Sequence, residues 1–205
     1  MKKTIHIDVK EPQYMVNTNV TFAQVPGWCG HITQDLKMDI IFPREAAKPV
    51  PGIVWICGGG WLEMSTCAHL AYLTELARCG FVVASVQYRT SNEAKFPAQL
   101  MDVKAAIRYL RAHAARYHLD PERMGVMGES AGGHLTAMAA LTGKEKAFDQ
   151  GDYLEYSSEV QAACPWYVPT DRYERGASLG GSIEGLPGQL CNGGSTAISD
   201  SAWHE

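Results

Sequence analysis

Between Gly52 and Cys164 the chain alternates short apolar runs with stretches of helical periodicity, and this alternation limits the fold more than any other feature. Ile53-Val54-Trp55-Ile56, Phe81-Val82-Val83-Ala84-Ser85-Val86, Met124 to Met127 and Val160-Gln161-Ala162-Ala163-Cys164 each read as a strand. Ala68 to Arg78 reads as a helix capped by Ser65 or Thr66 and ended by Gly80. Pro97 opens a longer helix whose apolar seam is Leu100, Val103, Ile107, Leu110, Ala114 and Tyr117. Its other face, with Lys104, Arg108 and Arg111, is expected in solvent, and Asp120-Pro121 is expected to stop it. A third helix, rich in Ala, Leu and Met, follows Met127 and ends near Gly143. Such a series builds an α/β fold with a mostly parallel sheet, right-handed crossovers and a site at the carboxyl ends of the strands. Residues 1 to 50 read instead as antiparallel-type strands, at Thr4 to Val9, Val20 to Val25 and Leu36 to Phe42.

Two glycine motifs fall where that site must be. The first is Cys57-Gly58-Gly59-Gly60-Trp61, directly after a strand. The second is Gly128-Glu129-Ser130-Ala131-Gly132, between the run Met124 to Met127 and a helix. A serine on a tight strand-to-helix turn needs small residues two before and two after it, because a Cβ there would strike the neighbouring backbone. The turn lifts the Ser130 hydroxyl above the sheet, and the following helix offers unpaired N–H groups to a reacting carbonyl. Gly176-Ala177-Ser178-Leu179-Gly180 fits the same pattern but follows the charged stretch Asp171 to Arg175, so Ser178 is set aside. Nucleotide loops do not fit either: no Gly-Lys-Ser/Thr follows the glycines, and Glu63 stands where a third glycine would be needed.

With both motifs in this order, the chain resembles the α/β-hydrolase superfamily. More narrowly it is similar to the esterase and lipase branch that includes hormone-sensitive-lipase-like enzymes and small bacterial carbohydrate-ester esterases. Phe96-Pro97, Asp102 to Arg108 and Asp120-Pro121-Glu122-Arg123 carry the same likeness, which spans about residues 35 to 172. The resemblance implies an α/β-hydrolase fold in a single domain over residues 1–205. It also implies a Ser130 nucleophile, and an oxyanion hole from the backbone N–H groups of Gly59, Gly60 and Ala131. Trp61 and Glu129 are assigned to the substrate pocket. No metal and no cofactor is expected. Cys57 stands where that branch has histidine and is read as a small apolar residue ending its strand, with a reactive thiol as the alternative.

The resemblance also implies a triad acid and then a histidine, each after a further strand. Only 75 residues follow Ser130, and the last 30 hold seven glycines and five serines without a β-branched run. The final strands are therefore expected to be missing, with an atypical Gly/Ser-rich tail over about 176–205 and a truncated or frame-shifted reading as one explanation. His134 lies one helical turn after Ser130 and is read as packing. His204 with Asp200 has the right order but sits in the tail, Asp171 and Asp102 are read as structural, and His69, His113 and His118 as helix surface or seam residues. The strand at Val160 to Cys164 would be left as an exposed edge open to self-association.

The function that follows is a serine ester hydrolase of the carboxylesterase or acetylesterase type, acting on a small-molecule short-chain acyl ester. The competing reading is a catalytically incomplete hydrolase fragment or a binding module without the triad Asp and His. A net charge of −4 gives no reason to expect nucleic acid or an anionic membrane as partner. The six cysteines show no C-x-x-C pair, and the start lacks the apolar segment of a secretory signal, so a cytoplasmic location is expected.

Overall fold

The computed structural model describes residues 4–5, 13–27 and 30–170. Period-two and period-3.6 patterns become elements in the order β1 (Tyr14–Pro26), β2 (Thr33–Pro43), β3 (Val50–Ile56), α1 (Leu70–Arg78), β4 (Val82–Val86), α2 (Ala98–Ala112), β5 (Leu119–Glu129), α3 (Ala131–Leu141) and β6 (Ala162–Trp166). The strands form one sheet in the spatial order β1-β2-β4-β3-β5-β6. Pairing is antiparallel from β1 to β2 and β2 to β4, and parallel from β4 through β3 and β5 to β6. Together with its structural neighbours, described below, this is the α/β-hydrolase fold. The parallel core with an antiparallel flank agrees with the change of pattern at Gly52. The stretch Thr4 to Val9 lies largely outside the described residues.

Alternation along the strands decides which helix lies on which face. Val54, Ile56, Val82, Ala84 and Val86 point into the large core that Leu100, Val103, Ile107 and Leu110 of α2 and Leu135 of α3 complete. Trp55 and Val83, one residue out of phase, meet Leu73 and Ala77 of α1 on the opposite face. On this second face Ile53, Met127 and Cys164 border an open hollow of about 340 Å³. The last strand, β6, is an edge among the described residues and is exposed along its length.

This layering fixes the site. The chain leaves β3 toward α1 on one face and leaves β5 toward α3 on the other, and β3 and β5 are neighbours, with Ile56 opposite Gly128. Adjacent strands whose continuations part to opposite faces open a crevice at their carboxyl ends. Both glycine motifs enter that crevice.

Three expectations are corrected. Helix α2 ends at Ala112, and Ala114–Tyr117 forms a separate 3-10 turn closed by His118 in the left-handed region, so the seam stays buried without one continuous helix. Helix α1 starts after His69 with no side-chain cap, whereas Ser65 accepts from the Cys67 amide in the turn before it.

The third correction concerns Lys104, Arg108 and Arg111, which are buried rather than solvated. The segment from Thr142 to Glu159 covers that face of α2 and turns its carbonyls inward. Lys104 Nζ donates to the carbonyls of Thr142 and Glu145, each at 2.8 Å, and lies 3.3 Å from Asp149. Arg108 meets Asp149 at 3.1 Å and the carbonyls of Gln150 and Asp152, while Arg111 donates to the carbonyls of Pro121, Ser157 and Glu159. Buried cations are tolerated only when their donors are satisfied this fully.

Candidate active site

Ser130 stands between β5 and α3 at φ 51° and ψ −117°. A side chain in this region costs about 1–3 kcal/mol, so the surroundings must hold it there. They do so by backbone contact. A Cβ on Gly132 would come 2.0 Å from the Ile56 carbonyl oxygen, and one on Gly128 would come 2.5 Å from the same atom. Gly133 is restricted in the same way, its Cβ direction leading to the Trp166 carbonyl at 2.5 Å. That carbonyl also accepts a hydrogen bond from the Ser130 amide at 3.1 Å, and the Ser130 carbonyl accepts the first helical bond, from His134, at 2.9 Å. The requirement for small residues around Ser130 is therefore literal.

The loop after β3 lies against this turn. A Cβ on Gly58 would sit 2.9 Å from the Glu129 carbonyl and 3.2 Å from Ser130 Cβ. Gly59, Gly60 and Trp61 all have positive φ, at 135°, 63° and 61°. Gly59 is the tightest of them, with 2.1 Å between its missing Cβ and the Glu63 carbonyl. Trp61 is buried against Ala131, with the His134 ring edge-on at 5.5 Å, and its carbonyl accepts from the Ser91 amide at 2.7 Å. Gly59, Gly60, Trp61, Ser130 and Ala131 are thus brought to one end of the sheet. Asp102 lies behind this loop, where it holds Arg89 through both carboxylate oxygens and accepts from the Arg89 amide at 2.8 Å.

Glu129 takes a different direction. Its carboxylate accepts from the Tyr167 hydroxyl and lies 3.4 Å from Nε2 of His69. His69 in turn places Nδ1 4.0 Å from the Cys57 sulfur, with the Trp55 ring 5.3 Å away. Burial, with the charge of Glu129 adding to it, pushes the Cys57 thiol up from its ordinary range, against a hydrogen bond from the Ser65 backbone. A thiol so placed stays protonated, which disfavours a resting thiolate nucleophile. The Tyr167 phenol is raised as well, through its hydrogen bond to Glu129.

Comparison with known proteins places this geometry. The BD-FAE family model matches residues 38–180, a span that contains both glycine motifs. The chain belongs to the BD-FAE family. It is similar to a probable carboxylic ester hydrolase, LipM, of Mycobacterium tuberculosis, at 36% identity over 130 residues, 63% of this chain and 29% of LipM. Among solved structures it is similar to a truncated form of a carbohydrate esterase from gut microbiota, with a TM-score of 0.72 and 31% identity over 91% of this chain and 68% of that one. It is also similar to Thermogutta terrifontis esterase 2 phosphorylated by paraoxon, with a TM-score of 0.60 and 26% identity, covering 78% of this chain and 59% of the other. The chain spans 29% of LipM, and less than a third of the length of the other curated relatives Esterase LipC and Esterase LipQ.

For this BD-FAE member, His204, Asp200, Asp171 and Ser178 lie outside the described residues. No helix among the described residues is long and apolar enough to cross a membrane. Sequence reasoning placed His69 on the surface of a helix, and it missed the convergence of His69 with Cys57 and Glu129. The signal available was Cys57 itself, the one position of the loop that departs from the resemblance.

Proposed function

We propose that this chain carries the acyl-transfer site of a serine carboxylic ester hydrolase. Ser130 attacks the carbonyl of a short acyl ester, and the N–H groups of Gly59, Gly60 and Ala131 receive the developing oxyanion. The observation that carries this reading is the strained Ser130 turn, packed against a loop of left-handed residues at the crevice between β3 and β5. Strain maintained by that many backbone contacts is a cost that a structural turn has no need of. Fixed N–H donors in a dry crevice each contribute about 3 kcal/mol toward the transition state. Trp61, packed on Ala131, holds one of these donors in place from behind. The alcohol side of the substrate is proposed to be a carbohydrate, in line with the carbohydrate esterase among the neighbours.

A second reading rests on the share of its relatives that the chain covers. In it, this chain binds and is acylated at Ser130 but lacks the proton transfer needed for turnover. Hydrolysis of p-nitrophenyl acetate beside Ser130→Ala, with paraoxon labelling read by peptide mass spectrometry, separates the two. Turnover and label both lost in Ser130→Ala support the hydrolase. Label on Ser130 without turnover supports the second reading, and neither label nor turnover sinks both.

A further inference from the structure

Cys57, His69 and Glu129 converge beside the serine turn without a part in the reaction proposed above. They come from the end of β3, the residue before α1 and the end of β5. One ligand atom from each lies within 4.8 Å of the other two. We propose that Cys57, His69 and Glu129 form a binding site for a single divalent, borderline-soft cation of the zinc class.

The donor set is a sulfur, an imidazole nitrogen and a carboxylate oxygen, the three ligand types from which zinc sites are built. Calcium and magnesium need an oxygen cage, and only one carboxylate is offered here. Bonds of about 2.0–2.3 Å set tetrahedral ligand atoms roughly 3.3–3.6 Å apart. The Glu129 to His69 separation of 3.4 Å already has that value, and the Cys57 to His69 separation of 4.0 Å is slightly wider. Because those two contacts use opposite ring nitrogens, the imidazole must turn to bring one nitrogen to both partners. His69 is free to do so, its side chain being 31% exposed and lying outside α1. Cys57 is the fixed ligand, its carbonyl held by the Tyr88 hydroxyl at 2.9 Å.

The outer contacts fit as well. Tyr167 occupies Oε2 of Glu129 and leaves Oε1 on the side of His69. A ligating carboxylate with its second oxygen hydrogen-bonded is the usual arrangement around a bound metal. Trp55 faces His69 at 5.3 Å and Trp166 at 5.6 Å, which gives the cluster an apolar wall. The same three groups could be read as a thiol nucleophile with its base, but Cys57 is only 5% exposed. An ester cannot reach a sulfur so enclosed, whereas a cation needs only the opening beside His69 and Glu129. Once bound, the cation ties the foot of the glycine loop to the residue before Ser130.

The test titrates the metal-free, full-length chain with cobalt(II) as a spectroscopic stand-in for zinc. A thiolate-to-cobalt charge-transfer band that saturates at one equivalent and is displaced by zinc is expected. The band disappears in Cys57→Ser, and the midpoint rises at least tenfold in His69→Ala and about tenfold in Tyr167→Phe. Circular dichroism melts establish that each variant is folded. Should Cys57→Ser not fold, iodoacetamide labelling of the unaltered chain serves: cobalt shields Cys57 but leaves the exposed Cys67, Cys79 and Cys164 reactive. No band, a band that survives in Cys57→Ser, or shielding of the exposed cysteines instead would overturn the proposal. So would rapid, His69-dependent alkylation of Cys57 without a band, which would mark a thiol nucleophile. None of these outcomes depends on Ser130, so failure here leaves the ester hydrolase reading untouched.

Discussion

The serine turn and the charged face of α2 are both unusual interiors, and they are built by opposite means. Around Ser130 the structure removes side chains, so that Gly58, Gly128, Gly132 and Gly133 bring backbone against backbone. On α2 it brings in the largest polar side chains, and Lys104, Arg108 and Arg111 reach across to the carbonyls of the segment from Thr142 to Glu159. The first region stores strain and tolerates no added atom, whereas the second stores charge and tolerates no lost partner. A molecule can therefore be broken at one place by a methyl group and at the other by a missing oxygen.

The sharpest break is Gly132→Ala. Its new methyl would lie 2.0 Å from the Ile56 carbonyl with no flexible side chain to yield, and a loss of at least about 4 kcal/mol in urea denaturation is expected. Next is Asp149→Ala, which deprives Lys104 and Arg108 of their carboxylate and should cost about 3 kcal/mol. Burial pushes the Asp149 carboxyl up, but hydrogen bonds from Ser158 and Lys146 and the charges of Lys104 and Arg108 outweigh it and hold it below the ordinary range. Its contribution is thus complete above about pH 4 and is lost as pH falls through the lowered value. The stability gap between the two proteins should narrow only in that acid window, and a gap that also closes between pH 5 and 8 would refute the assignment to Asp149.

Smaller effects refine the contrast. Gly60→Ala meets nothing within 4 Å, and only its φ of 63° is unfavourable, so a cost of about 1–2 kcal/mol is expected, a fraction of that at Gly132. Ser130→Gly should raise stability, by about 1 kcal/mol, because it relieves the φ of 51° while removing the hydroxyl. A melt showing Ser130→Gly to be less stable than the parent would mean that the turn is not strained.

The same contrast explains what could be read from the sequence. Close backbone approach leaves a mark, since only glycine serves, and so the elbow, the loop after β3 and the strand-helix order were legible, together with the family resemblance. The buried cations leave none. Lys104, Arg108 and Arg111 fall on the polar side of a regular seam, and the segment that covers them has neither strand nor helix periodicity to announce it. The cluster at Cys57 was hidden for another reason. Its members are contributed by three separate elements, and His69 seemed part of a helix that in fact begins one residue later. Packing partners far apart in sequence have no local signature, and neither does the end of a helix such as α2 when its seam continues into a 3-10 turn.

The hydrogen bond from the Ser130 amide to the Trp166 carbonyl has a consequence for the order of events on the ribosome. By the time α3 has emerged, β3 and β5 can pair and their glycines can meet. The acceptor for the serine's own amide is still unsynthesised, and so is the carbonyl against which Gly133 rests. The residue at the centre of the site is thus set last, by the far end of the sheet. A nascent chain halted before β6 would display a finished-looking motif whose hydroxyl has not yet been aimed.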